Sequence, residues 1–411
     1  MKNWEIKKLG DVIQKTETTD PTKKPESEFT YIDVSSVNNQ GFFVENTSTI
    51  IGKDAPSRAR KLIRTNDVIF ATVRPTLKRI AIIEEELNKQ VCSTGYFVLR
   101  AKENIHYKLL FYFLLTDGFI SKMEILQKGA SYPAVTDGEV RNQIIAYPKS
   151  LPEQQYIVSI LDEAFAAIAK AKANAEQNLK NAKELFESYL QGVFENKLHG
   201  NKSNALEDLC ELIVDCEHKT APTQETGYPS IRTPNIGKGV LILEGVNRVS
   251  EETYLDWTKR AIPMEDDLIL AREAPAGNVA VIPENLKVCL GQRTVLIRPK
   301  KDKLNSKYLA QLLLSKDVQE QFLSHSRGAT VAHINMKDIR AFKIYNLSSI
   351  SEQQTIVSKL DALSVETKRL EGIYKQKIED LEELKKSVLQ KAFRGELTLN
   401  AYAPAKEIVC I

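Results

Sequence analysis

Long apolar runs are missing from this sequence. No stretch approaches the ~18 consecutive apolar residues of a membrane-spanning helix, and the opening MKNWEIKKLG has no apolar core after its lysines. Neither a membrane span nor a signal peptide is expected, and the expected location is the cytoplasm. Cysteine is scarce and scattered: Cys92, Cys210, Cys216, Cys289 and Cys410 form no CxxC pair and no Cys/His cluster with zinc-ligand spacing. They read as buried or incidental thiols, with no disulfide framework and no metal. The five histidines, His106, His199, His218, His325 and His333, fall in no ligand-like spacing either. No GxxxxGK(S/T) phosphate loop, Gly-rich cofactor turn with a polar-Pro-Pro-aromatic motif, GxSxG elbow or HExxH pair is present. Catalysis by this chain is not expected.

A strong charge of one sign is also lacking: the net charge is only +3 over 411 residues. By segment, residues 1–149 carry 22 Lys and Arg against 18 Asp and Glu, and residues 201–348 carry 20 against 19. Only the first segment is noticeably basic, so charge alone does not argue for a nucleic-acid partner. With 42% apolar and 27% charged residues the chain can bury two or three ordinary cores.

What the sequence does have is a repeat at an offset of 199 residues. SLPEQQYIVSILD (150–162) lies over SISEQQTIVSKLD (349–361), and LFESYLQGVFENKL (185–198) over LKKSVLQKAFRGEL (384–397), giving 17 identities in 49 ungapped positions. Unrelated sequences would give about three. Each copy opens with Ser and, three residues on, Glu (Ser150 and Glu153; Ser349 and Glu352), the spacing of a capping box. Apolar residues then recur in steps of four and three, so each copy predicts a helix of ~40 residues. The expected seam includes Ile157, Leu161, Ile168 and Leu185 in the first helix, and Ile356, Leu360, Leu363, Leu370 and Leu384 in the second. Asn178 and Lys377 interrupt one heptad position in both copies, either as a register-setting polar layer or as a solvated turn.

The segments before the helices match more weakly. DVIFATVRP (67–75) resembles DLILAREAP (267–275) as a buried strand, RIAII (79–83) resembles NVAVI (278–282), and KLLFYFLLT (108–116) resembles KYLAQLLLS (307–315) as an amphipathic helix. KGAS (128–131) and RGAT (327–330) form a Gly-containing loop before each long helix. The expected division is therefore a domain at 1–149, a helix at 150–200, a domain at 201–348, and a helix with a tail at 349–411. If the helices pack antiparallel, like parts acquire a pseudo-twofold relationship, the symmetry of duplex DNA.

The paired EQQxIVxxLD openings, the helix ends LQGVFENKL and LQKAFRGEL, and the loop RGATVAHINMKDI resemble the specificity subunits of type I restriction-modification systems over essentially the whole chain. The resemblance implies two α/β (α+β) target recognition domains alternating with two long helices that form an antiparallel coiled coil. Each domain would read one half of a split DNA site, and the helices would set the spacing and dock two methyltransferase subunits, with two restriction subunits outside. S-adenosylmethionine, ATP and Mg would belong to those partners, with no cofactor or metal bound by this chain.

Base reading needs Arg, Lys, Asn or Gln on loops that reach a groove, with further contacts to phosphate. Candidates in the first domain are Arg58, Arg60, Arg74, Lys78, Arg79, Lys128, Ser131 and Tyr132. In the second they are His218, Lys219, Lys259, Arg260, Arg272, Asn278, Arg327, Thr330, His333 and Asn335, with Arg60 and Arg260 at aligned positions. Nearby carboxylates such as Glu273 either accept from cytosine or neutralise an arginine, and any single exposed Arg is more often a solvated charge than a reader. Two other classes stay open: a coiled-coil structural protein, which leaves the two domain-sized segments without a role, and an enzyme of unfamiliar chemistry.

Overall fold

The computed structural model describes residues 3–197, 200–324 and 333–397. They fall into two compact units, one of residues up to Ala175 with those from Gln376 onward, the other Glu176–Lys375. Each unit thus holds one domain-sized segment plus one half of each long helix.

In the first unit the apolar run at 67–75 becomes the strand Val68–Ala71, paired antiparallel with Ile80–Ile82 and Tyr96–Leu99. All four of its residues are buried. Side chains alternate across a strand, so both faces must be covered. Val68, Phe70, Ile80, Phe97 and Leu99 share a core with the helices Tyr107–Leu114 and Asp117–Leu126. Ile69, Ala71, Ala81 and Val98 meet Ile32, Ile63 and Cys92 of a second layer. That layer is a four-stranded sheet in the order Ser48–Ile51, Glu28–Ile32, Val91–Ser93, Ala59–Leu62. Burial in this layer pushes the Cys92 thiol up to about 12, which keeps it protonated and unreactive.

The second unit repeats the plan. Leu268–Ala271 pairs with Val279–Val281 and Thr294–Pro299, with Cys210–Asp215 on the far side of the latter. Leu268, Leu270, Val279, Val295 and Ile297 share a core with the helix Ser306–Leu314, while Ile269, Ala271, Ala280 and Leu296 meet Ile231, Ile236 and Leu290. Helices set on one side of mainly antiparallel sheets make each domain α+β.

The long helices run Leu151–Phe194 and Ile350–Phe393, 44 residues each, or about 66 Å at 1.5 Å per residue. Within the first unit they meet antiparallel. Lys385 Nζ lies 5.0 Å from the Phe165 ring and Lys172 pairs with Glu382 at 2.5 Å, so rising numbers on one helix face falling numbers on the other. Within the second unit Leu190 and Phe194 share a core with Val357 and Leu360. Of the expected seam, Ile157, Leu161, Ile168 and Leu360 are buried and Ile356, Leu363 and Leu370 half-buried. Leu185 and Leu384 depart from it, each 49% exposed. The inward positions there come one residue later, at Phe186 and Lys385. A helix of 3.6 residues per turn drifts by ~20° per heptad from a 3.5-residue repeat, and far along the helix the facing residue changes. Asn178 and Lys377 are both exposed, which fits the solvated turn. The capping box forms at the second helix, where Ser349 N donates to Glu352 at 2.9 Å and Glu352 N to Ser349 Oγ at 3.4 Å. Among the described residues no such pair forms at Ser150 and Glu153. Each helix is also tied to its own domain by a fully buried glutamine, Gln154 or Gln353.

Candidate nucleic-acid interface

The two units share one backbone frame at the end of the buried strand. In the first, Thr72 N donates to Gly95 O at 2.8 Å and Val135 N to Thr72 O at 2.9 Å. In the second, Arg272 N donates to Arg293 O at 2.9 Å and Ile334 N to Arg272 O at 2.9 Å. These bonds lash the strand end to the following hairpin and to the loop that precedes the long helix, so three segments distant in sequence form one surface.

On the first unit's frame Arg74 stands in the left-handed region at φ 50°, a conformation uncommon for a side chain of this size. Its own N donates to Pro133 O at 2.6 Å, its guanidinium to Ser131 O at 3.2 Å, and its Cζ lies 5.0 Å from the Tyr132 ring. Arg74, Ser131 and Tyr132 are all exposed, so this is an amphipathic, cationic tip held by its own loop. Lys128 lies on the same loop, 86% exposed and 3.8 Å from Glu139. Lys78, also left-handed at φ 52°, sits 3.5 Å from Asp117. Arg58 is exposed, and Arg60 is half-buried at 3.5 Å from Asp20. Arg79 is drawn inward, donating to Val34 O at 2.5 Å, and so is held away from the open loop expected for it.

On the second unit's frame the chemistry is different. Arg272, expected on an open turn, is buried: its guanidinium meets Asp215 at 2.6 Å, Ile334 O at 2.9 Å and His333 Nε2 at 2.9 Å. Three partners hold it as an anchor. His333 Nδ1 lies 3.1 Å from Glu273, and Glu273 pairs with Arg293 at 2.8 Å. His218 lies 3.4 Å from Asp215, and Arg260 pairs with Glu217 at 2.9 Å and donates to Cys216 O at 3.1 Å. His218, Arg260, Arg272 and His333 are thereby brought together, joined by Asp215, Glu217 and Arg293, which the sequence did not single out. Asn278 is removed from the set, its amide donating to Ile236 O at 2.8 Å. Lys259 pairs with Asp256, whose carboxylate raises the ammonium above its ordinary range. Asn335 donates to Asp338 at 3.2 Å, and Lys219 is exposed. Arg327 and Thr330 lie outside the described residues.

Among the described residues no three His, Cys, Asp or Glu are grouped to hold a metal ion, and no helix is long and apolar enough to cross a membrane. The surface offers donors, acceptors and one stacked aromatic on a braced backbone.

Comparison with known proteins adds the family. The model of the type I restriction modification DNA specificity domain matches residues 1–180 and again 200–380. A specificity subunit of the type I restriction enzyme EcoBI from Escherichia coli is 22% identical over 348 residues, covering 79% of this chain and 72% of that protein. Among solved structures, the HsdS subunit from Thermoanaerobacter tengcongensis is 29% identical with a TM-score of 0.67, covering 96% of this chain and 97% of its own. Another, from work on complex assembly and conformational transition of the type I R-M system, is 27% identical with a TM-score of 0.78, covering 96% and 98%. With the family model matched twice, on the two copies of one duplicated plan, this chain belongs to the type I restriction-modification DNA specificity subunits.

Proposed function

We propose that the chain is the non-catalytic DNA reader of a type I restriction-modification complex, each domain reading one half of a bipartite site. The observation that carries this is the shared frame at Thr72 and Arg272: one backbone arrangement, present twice, displaying different side chains. A duplicated scaffold with divergent tips suits two half-sites of different sequence. The long helices would fix the separation of the half-sites and dock two methyltransferase subunits, with two restriction subunits joining outside. S-adenosylmethionine, ATP and Mg would be held by those partners. Arg58, Arg74, Lys128, Ser131, Tyr132, His218, Lys219, Lys259, Arg260 and Asn335 are the exposed candidates for contact with bases or phosphates.

The isolated chain is expected neither to transfer methyl groups nor to hydrolyse ATP, and the methyltransferase subunit is expected to supply methylation of one bipartite sequence. Replacing residues 1–149 with the equivalent segment of a relative should then change one half-site alone. Methyl transfer by the homogeneous chain, or a change in both halves, would overturn the proposal.

A further inference from the structure

The frames of the two units can be superimposed residue by residue through their hydrogen bonds. Gly95 O and Arg293 O accept the same bond, and so do Thr72 O and Arg272 O. Thr72 therefore corresponds to Arg272, Val73 to Glu273, Gly95 to Arg293, and Ala134 to His333. Three uncharged side chains and a glycine in the first unit are replaced by four ionisable side chains in the second, which contact one another in a chain.

The exposure of these groups is graded. The Arg272 and Asp215 side chains are 11% and 19% exposed, Glu273 is 21%, His333 40% and Arg293 63%. Two groups at the base lock the next two, and the last projects into solvent. An isolated surface ion pair pays side-chain entropy to hold its geometry and gives little in return. Here Arg272 fixes the His333 ring through Nε2, His333 fixes Glu273 through Nδ1, and Glu273 fixes Arg293. A carboxylate and a guanidinium are thus presented side by side on a rigid base.

We propose that Arg293 and Glu273 are specificity-determining residues of the second half-site and together read one G·C base pair. Arg293 donates to guanine O6 and N7, and Glu273 accepts from the amino group of the paired cytosine. Arg272 and His333 are positioning residues that hold this pair. The chemistry follows from the edges of the base pair: guanine offers two acceptors suited to an arginine fork, and cytosine one donor suited to a carboxylate. The first unit, with Gly95 and Val73 at the same places, has no such pair. The inference rests on the DNA-reading role proposed above.

The test is selection of bound duplexes from a pool randomised in both half-sites, using the chain assembled with its methyltransferase subunit. The Arg293→Ala, Arg293→Lys and Glu273→Gln variants are compared with the unaltered chain. Preference for G·C at one position of the second half-site should fall by roughly ten- to a hundredfold for Arg293→Ala. Arg293→Lys, which keeps the charge and loses the fork, should relax the same position, and Glu273→Gln should relax it with the guanine contact retained. The first half-site should stay unchanged throughout. Recovery of the original sequence by all three variants would overturn the inference, as would a uniform loss of affinity with no change of preference, which marks a phosphate contact. Failure of the unaltered complex to select any bipartite sequence would instead overturn the DNA-reading role itself.

Discussion

Gln154 and Gln353, 199 positions apart, each make three hydrogen bonds, two of them to equivalent partners and the third shifted by one residue. Gln154 Oε1 accepts from His106 N at 2.8 Å, and its Nε2 donates to Asn104 O at 3.1 Å and Pro148 O at 2.8 Å. Gln353 Oε1 accepts from Asn305 N at 2.8 Å, and its Nε2 donates to Lys303 O at 3.0 Å and Ser348 O at 2.9 Å. Both side chains are fully buried. Each pins the start of a long helix to the loop that opens a domain helix, adding a polar tie to the apolar packing of Ile157 and Leu161, or of Val357 and Leu360, against that domain.

Replacing either glutamine by alanine takes the partner from one N–H and two part-buried or buried carbonyls, and should lower the stability of that unit by about 1–3 kcal/mol. Chemical denaturation reads the loss, and amide exchange at His106 or Asn305 should speed up only in the unit that carries the change. Unchanged exchange at both sites would deny the amide its bracing role.

Acid should loosen the helix contact of the first unit. Hydrogen bonding from Lys172 holds the Glu382 carboxyl below the usual carboxylate range, against the opposing effect of burial. The unfolded chain therefore takes up the proton first. The contribution is complete above the unfolded value of about 4.3 and is lost as pH falls through the folded one. A Glu382→Gln variant should show a shallower fall in stability through that window, and parallel acid titrations of the two proteins would decide the matter.

Arg74→Ala should weaken the first half-site alone. A cost of about 1–3 kcal/mol with relaxed preference at one position marks a base contact, whereas an equal loss on all sequences with a flatter salt dependence marks a phosphate contact. Arg60→Ala and Arg260→Ala should each weaken their own half-site, and because both side chains lie near carboxylates, Asp20 and Glu217, unchanged affinity would mark them as ion-pair partners alone. A change in the second half-site on altering Arg74 would break the assignment of domains to halves.

The spacer can be lengthened directly. Four residues inserted near Ala173 add about one turn, or ~6 Å, and should widen the gap between half-sites while leaving both half-site sequences intact. A methylome of the insertion strain with the original gap at full efficiency would mean that the helices are not the ruler.

Periodicity exposed most of the architecture, because apolar runs such as 68–71 and 268–271 are buried on both faces and the duplicated helices keep one pattern in two copies. The seam was misplaced at Leu185 and Leu384 because a heptad read from sequence accumulates drift that a real helix resolves by rotating Phe186 and Lys385 inward. The candidate interface was less legible. Arg272 reads as a loop donor, yet its burial follows from Asp215 and His333, which lie 57 and 61 residues away. Arg293 carries no local signal at all; its place emerges only from the hydrogen bond that makes it the counterpart of Gly95. Spacing reports neighbours on one element, whereas these contacts are made between segments that only folding unites.

The first unit is completed by the far end of the chain. Phe393 stacks edge-on against Phe113 at 5.8 Å, and Leu389 and Ala392 lie in the same core as Ile157 and Leu161. On the ribosome, some 200 further residues must be made after Ala175 before that surface can be covered, an interval of roughly 10–40 s at ordinary elongation rates of about 5–20 residues per second. The second unit, spanning Glu176–Lys375, has all of its parts by the time translation reaches its end. The domain synthesised first is thus the last to be sealed, and a message broken anywhere in between yields a nascent chain with an open apolar flank, a natural substrate for chaperones and proteases.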